Sequence, residues 1–332
     1  MKTILLSNYS ANVLRAILSL KVVDKDIPEP GKDEVLVKLH AAAVNPSDIA
    51  FIQGGYNIVK PLPATPGFEG SGTIVEAASG LKNLIGKKIS CFVQNDEGGT
   101  WSEYFTVHKD DLILLDDRMD MDQAACFTVN PFTGYGLINI ALMRESTAVI
   151  QNAAGGQVPG FVRTLAKENG MEVINIVRKP ATAERLVKEG CKHVLTEQDA
   201  DFKEKLKTLA RELNATTAFD AVGGVLSGNI FNAMPGDSEL VVYGGLSGKP
   251  MSGIDTMDVI FNDKIVSGFN LIDWKNELDK NEFVEIVEEL QQKFINGEMK
   301  TNIRESIQFE DIVRGLKEYI GNMSSGKILI KP

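Results

Sequence analysis

Residues whose types and spacing could do chemistry concentrate between Ala148 and Arg178. AVIQN reads as an apolar strand, AAGGQVPG as a small-residue turn, FVRTLAKENG as an amphipathic helix and EVINIV as a second strand. A parallel βαβ unit of this kind aims a helix N-terminus, with its unsatisfied N–H groups, at a phosphate. Gly155 and Gly156 follow the first strand directly, where the chain must turn tightly and let its backbone approach a pyrophosphate. Gln157 and Pro159 stand where such a loop more usually has glycine, and Pro159, at home as the first residue of a helix, offers no N–H. On this stretch alone, a strand–turn–helix without any ligand is the alternative.

The residues after the second strand favour the ligand. A site for NAD usually places an acid there to bind the ribose 2′-hydroxyl, but this chain has Arg178 and Lys179. Arginine holds a phosphate bidentately and lysine adds a point charge, so the expected cofactor is NADP(H). The alternative is a solvated basic strand end.

The elements that must position these residues follow from periodicity. With 332 residues, 43% of them hydrophobic and 24% charged, the chain is expected to form two globular domains. From about residue 124 strands and helices alternate: strands 148–152, 172–177, 192–195, 217–222 and 239–244, with helices 159–169, 181–189, 199–212 and 225–233. That alternation predicts a parallel sheet covered on both faces, an α/β domain over 124–265. Residues 1–123 read as strand-rich, a curved sheet or small barrel, with a short helix opening at Pro46 and stopped by Gly54 and Gly55. Residues 266–332 return to strands and are expected to complete this first domain.

A formal net charge of −10 disfavours binding to nucleic acid or to an anionic membrane. Cys91, Cys126 and Cys191 are odd in number and lack CxxC spacing, which suggests neither a disulfide framework nor a cysteine-rich zinc loop. No apolar run approaches the roughly 18 residues of a membrane span, and MKTILLSNYSANVL lacks the ordered regions of a signal peptide, so the expected compartment is the cytoplasm.

AAAVNPSDIAFIQGGY, PGFEGSGTIVEA, GGTWSEYFTV, VNPFTGYGL, VIQNAAGG, VINIVRKP, FDAVGG, VVYGGLSG and GFNLIDWK together resemble the zinc-independent branch of the medium-chain dehydrogenase/reductases. The nearest likeness is to NADPH-dependent trans-2-enoyl-thioester reductases and to quinone oxidoreductases. The resemblance implies a Rossmann domain, a doubly wound parallel sheet, beside a strand-rich, partly barrel-like (GroES-like) catalytic domain, and a homodimer joined through edge strands. It also implies roles for particular residues. Tyr56 matches the tyrosine assigned as proton donor beside the nicotinamide, and Asn45 the asparagine that orients nicotinamide or tyrosine. Asn152, Gly155, Gly156, Gln157 and Val158 match the segment that approaches the pyrophosphate. Tyr243, Gly244 and Gly245 match the strand end beneath the cofactor, and Phe269 and Leu271 the nicotinamide pocket.

For Tyr56, an aromatic that merely packs its loop is the alternative; for Trp274, a wall of the substrate cleft and a core aromatic stand equally. Asp48 reads as a helix-start or salt-bridge residue. Zinc-dependent relatives place a metal-binding Cys where this chain has Asn45 and a metal-binding His where it has Phe68, so no zinc is expected. His40, His108 and His193 lack ligand spacing. Two departures, Gln157 with Pro159 in the glycine loop and Pro180 where a second Arg often stands, are expected to weaken cofactor binding. Function is expected to be NADPH-dependent reduction of an activated carbon–carbon double bond or a quinone. An NADPH-binding regulatory protein with little turnover is the alternative.

Overall fold

The computed structural model describes residues 1–94 and 98–332. In chain order, β1 (Lys2–Leu6), α1 (Val13–Leu18), β2 (Leu20–Asp24), β3 (Glu34–Ala43), α2 (Pro46–Ile52), β4 (Glu69–Ala77), β5 (Lys88–Phe92), β6 (Tyr104–His108), β7 (Leu112–Leu114) and α3 (Met121–Ala124) form the first run. The second contains α4 (Asn130–Met143), β8 (Ala148–Gln151), α5 (Gln157–Glu168), β9 (Glu172–Val177), α6 (Pro180–Lys188), β10 (His193–Thr196), α7 (Phe202–Glu212), β11 (Thr217–Asp220), α8 (Val225–Ala233), β12 (Glu239–Val242), α9 (Thr256–Phe261), β13 (Ile265–Gly268) and α10 (Leu271–Glu277). α11 (Lys280–Ile295), β14 (Ile303–Gln308), α12 (Ile312–Gly321) and β15 (Lys327–Lys331) follow.

Two compact units result, one of residues 1–130 with 284–332 and one of residues 131–283. Both divisions fall later than the sequence pattern suggested. α3 stays with the first unit because Ser71 Oγ and Ser90 Oγ donate to the Met121 and Ala124 carbonyls, each at 2.7 Å. β13, read from sequence as part of the returning strand-rich region, instead pairs in parallel with β12, Glu239 opposite Ile265, and is the sixth strand of the second unit's sheet.

That sheet runs β10-β9-β8-β11-β12-β13, all parallel, the strand order of a dinucleotide-binding fold. β8 is buried at all four positions, as a strand covered by helices on both faces must be. α5 lays Phe161, Val162, Leu165 and Ala166 against the core from one side. Gly134 and Gly136 let α4 pack closely: a Cβ on Gly134 would meet that of Phe161 at 2.8 Å, and one on Gly136 the Phe269 ring at 2.6 Å.

The first unit holds a seven-stranded sheet ordered β14-β15-β3-β4-β5-β7, with β6 also paired to β3, and no pairing among the described residues closes it into a barrel. Phe51, Phe68 and Trp101 lie fully buried in its core. β15, late in the sequence, is inserted between β14 and β3.

Candidate active site

The first unit's candidate residues begin at α2. Pro46 supplies a preset φ for the first helical turn, and the Asp48 carboxylate accepts the Asn45 N–H at 2.7 Å, closing the helix start. The helix ends before Gly54, whose φ of +73° turns the chain back toward Tyr56. Tyr56 is half-buried; its ring lies 5.3 Å from that of Phe68, tilted by 35°. Its hydroxyl oxygen accepts from Gln94 Nε2 at 3.3 Å. Burial pushes the phenol pKa up, against the pull of the Gln94 hydrogen bond and with some help from the Asp48 charge. The phenol is therefore protonated at neutral pH, and the Gln94 contact uses its oxygen rather than its proton.

Asn45 is buried, and both ends of its amide are engaged within the unit. Its Nδ2 donates to Glu69 Oε2 at 2.9 Å and its Oδ1 accepts from the Lys327 ammonium. Lys327 Nζ also donates to the Val44 carbonyl at 3.2 Å. Glu69 Oε1 accepts from Val129 N at 2.8 Å and from Thr128 Oγ1 at 3.3 Å. Asp48, the helix-start residue, also accepts from Phe68 N at 3.1 Å. Burial pushes its carboxyl up to about 7, opposed by the Asn45 N–H, Lys327 and the Phe68 N–H. Glu69 is raised for the same first reason.

The zinc-binding positions of zinc-dependent relatives do not fit a metal here. Phe68 has no ligand atom and is buried among Phe51, Tyr56 and Phe92, while the Asn45 oxygen already holds an ammonium. No group of three or more His, Cys, Asp or Glu suited to a metal occurs among the described residues. His40, His108 and His193 bond or pair instead with Asp122, Asp110 and Glu172.

The second unit's candidate residues lie at the carboxyl ends of its own strands β8, β9, β11 and β12. α5 starts at Gln157, with Gly156 in an extended conformation as its N-cap (φ −82°, ψ 178°). Pro159 is thus the third helical residue rather than the first, a correction to the sequence reading. It costs no helical hydrogen bond there, since the first-turn N–H groups have no intrahelical acceptor. Gly155 and Gly156 make the turn, and Gln157 and Val158 are the first helical positions. Two arginines hold the turn's carbonyls: Arg163 Nη1 donates to Ala154 O at 2.7 Å and Arg185 Nη2 to Gly155 O at 3.2 Å.

Asn152 is buried, and its amide ties strand ends together by donating to Asp220 Oδ1 at 2.6 Å and accepting from Ala221 N at 2.8 Å. Asp220 also accepts from Val222 N, Gly223 N and Ser227 Oγ, fixing a turn in which Gly223 and Gly224 have φ of +76° and +68°. Arg178 and Lys179 are exposed beyond β9, with Lys179 the N-cap of α6. Such cations beside a helix start suit a phosphate monoester. Glu197 is a neighbour of Arg178: its N–H donates to Val177 O at 3.0 Å, and burial raises its carboxyl pKa, opposed by the Arg178 charge.

Tyr243 and Gly244 both donate their N–H to Asp220 O, at 2.9 and 3.3 Å; a Cβ on Gly244 would meet Ala221 O at 3.0 Å, whereas Gly245 faces open space. Phe269 N donates to Val242 O at 2.9 Å, and Leu271 opens α10. Trp274 is only 8% exposed, 6.1 Å from the Phe269 ring and 6.2 Å from that of Tyr135, which is the core-aromatic alternative.

Sequence reasoning named neither Gln94, Glu69, Lys327, Arg163 nor Arg185. Asp220 carried a signal, an acid closing a strand before paired glycines in FDAVGG, although no role was read from it. The others carried none that is local.

Comparison with known proteins agrees with this geometry. Residues 31–117 match the family described as "Alcohol dehydrogenase GroES-like domain", and residues 160–292 the one described as "Zinc-binding dehydrogenase". The chain is 30% identical over 323 residues to a mitochondrial enoyl-[acyl-carrier-protein] reductase of Caenorhabditis elegans, covering 95% of this chain and 91% of that one. It is 29% identical over 305 residues to the human enzyme of the same name, covering 90% and 80%. Among solved structures, a Mesorhizobium loti protein provisionally named an NADPH:quinone reductase superposes with a TM-score of 0.94 at 29% identity, covering 100% and 98%. The mitochondrial 2-enoyl thioester reductase heterodimer of Candida tropicalis shares the fold, with a TM-score of 0.80 at 22% identity, covering 100% and 99%. The two matched families, the near full-length relatives and the two-unit architecture establish that the chain belongs to the medium-chain dehydrogenase/reductase superfamily and is an oxidoreductase of that family.

Proposed function

We propose that the chain is an NADPH-dependent reductase of activated carbon–carbon double bonds, with an enoyl thioester its preferred substrate and small enones or quinones as further acceptors. The observation that carries this reading is the half-buried Tyr56 phenol, which burial keeps protonated at neutral pH and whose oxygen accepts from Gln94, a contact that does not use its proton. Names of relatives support it: two are enoyl reductases and one is an NADPH:quinone reductase by provisional name. NADP(H) is the cofactor, and bound there it supplies a hydride.

Arg178 and Lys179 hold the 2′-phosphate, and the Gly155–Gly156 turn with the first turn of α5 takes the pyrophosphate. Phe269 and Leu271 flank the nicotinamide. When an acceptor gains hydride at its β-carbon, negative charge develops on the carbonyl oxygen and α-carbon. Tyr56 donates its proton there, and Gln94 stabilises the phenolate that remains. Asn45 has its amide committed to Glu69 and Lys327 and orients the Tyr56 segment through α2. A second copy of the chain completes the active form by pairing along β13, where Ile265 and Val266, with Ile260 and Phe261 of α9, are exposed.

The deciding experiment is NADPH oxidation over a panel of crotonyl-CoA, enals, enones and quinones, with NADH alongside. The thioester reading expects crotonyl-CoA to be turned over at least as fast as any quinone. Binding of NADPH without oxidation across the panel would favour a regulatory protein, the reading that Gln157 and Pro159 in the glycine loop support.

Turnover in this reading needs no metal, because Phe68 and the lysine-bonded Asn45 stand where zinc ligands would. Purified protein is expected to hold far less than one zinc per chain and to keep its activity in chelator. Elemental analysis giving about one zinc per chain would overturn this.

A further inference from the structure

Lys327, on β15, is 3% exposed and lies among three buried polar side chains, Asn45, Asp48 and Glu69, of which none exceeds 1% exposure. Burying an ammonium with two carboxylates contributes little to stability, since apolar side chains of similar volume do as well. Their arrangement instead bears on Tyr56 from two directions. Lys327 holds Asn45 Oδ1, and Asn45 caps the helix that leads through Gly54 and Gly55 to Tyr56. One Asp48 oxygen takes the Asn45 N–H and the other the Phe68 N–H, so a single carboxylate ties the helix start to the residue whose ring packs on Tyr56. The Lys327 charge reaches both Asp48 and Glu69.

We propose that Lys327 is a positioning residue for the Tyr56 hydroxyl, acting through Asn45 and the Asp48 and Glu69 carboxylates; the proposal rests on the donor role assigned to Tyr56 above. Without the ammonium, the Asn45 amide loses the partner of its oxygen, and the two carboxylates face each other uncompensated. The Phe68 and α2 anchors then loosen together. Misplacement of a reacting group by a fraction of an ångström suffices for about a tenfold loss in turnover, given that about 1 Å can cost a hundredfold.

The test is a double-mutant cycle in the full-length protein, read as kcat with crotonyl-CoA or the best acceptor of the panel, and as NADPH affinity by fluorescence titration. Lys327→Met is expected to lower kcat about tenfold, leave NADPH affinity within about twofold, and cost less than about twofold in a Tyr56→Phe background. Lys327→Arg, which keeps the charge and a donor, is expected to recover part of the loss. The charge-balanced pair Lys327→Gln with Glu69→Gln covers the case in which Lys327→Met does not fold, and is expected to fold and show the same loss. A kcat within twofold of wild type in either variant, or an equal loss with and without Tyr56, would overturn the proposal. Full turnover by Tyr56→Phe alone would sink the donor reading, whereas an impaired Tyr56→Phe beside an unimpaired Lys327→Met would sink only the role of Lys327.

Discussion

Tyr56→Phe is expected to lower turnover of an enoyl thioester or enone by 10²–10⁴-fold, because loss of a positioned acid at a developing enolate costs on that order. The substitution keeps the ring, so its contact with Phe68, at 5.3 Å between centroids, survives and the fold should be unchanged. What disappears is the acceptor for Gln94 and the proton for the substrate. NADPH affinity should stay within about twofold, since Arg178, Lys179 and the glycine turn lie in the other compact unit. Steady-state kcat with crotonyl-CoA, beside a fluorescence titration of NADPH, separates the two effects. A Phe variant within twofold of wild type would leave water or a ribose hydroxyl as the proton source.

Arg178→Ala is expected to weaken NADPH binding ten- to a hundredfold while changing NADH binding little. Charge-assisted phosphate hydrogen bonds contribute roughly 1.5–3 kcal/mol, and about 1.4 kcal/mol is a factor of ten. Lys179, exposed at the N-cap of α6, remains to hold part of the phosphate charge, and Glu197 beside Arg178 already offsets some of its attraction. Both place the effect nearer tenfold. Titration of the variant with each nucleotide is the measurement, and equal losses for the two would remove Arg178 from 2′-phosphate recognition.

Much of the architecture was legible because its signals are local. β8 and β9 are apolar runs separated by a glycine turn and a helix with apolar residues at helical spacing, and no tertiary knowledge is needed to see a parallel unit. β13 was placed in the wrong region because IVSG carries exposed Ile265 and Val266 and reads as a strand in either setting; only its register with β12 assigns it. Pro159 misled by two positions, since proline is tolerated throughout a first helical turn and Gly156 could serve as the cap.

The site divides in the same way. Gly155, Gly156, Arg178 and Lys179 announce themselves within about thirty residues of a single motif. The partners of Asn45 do not: Glu69 lies 24 positions away and Lys327 282, and sheet pairing alone brings them together. Gln94, two residues beyond the end of β5, has no flanking pattern that would mark it as the partner of Tyr56.

The insertion of β15 between β14 and β3 has a consequence for synthesis. A ribosome delivers residues 131–283, enough for the complete six-stranded parallel sheet, before it delivers Lys327. Throughout that interval the first unit lacks an interior strand and carries Asp48 and Glu69 without their cation, so its emerging half cannot settle early. The nascent polypeptide therefore matures out of vectorial order, its middle before its beginning. A product cut short by even a handful of residues would reach the cell's proteases and chaperones with one lobe folded and the other open.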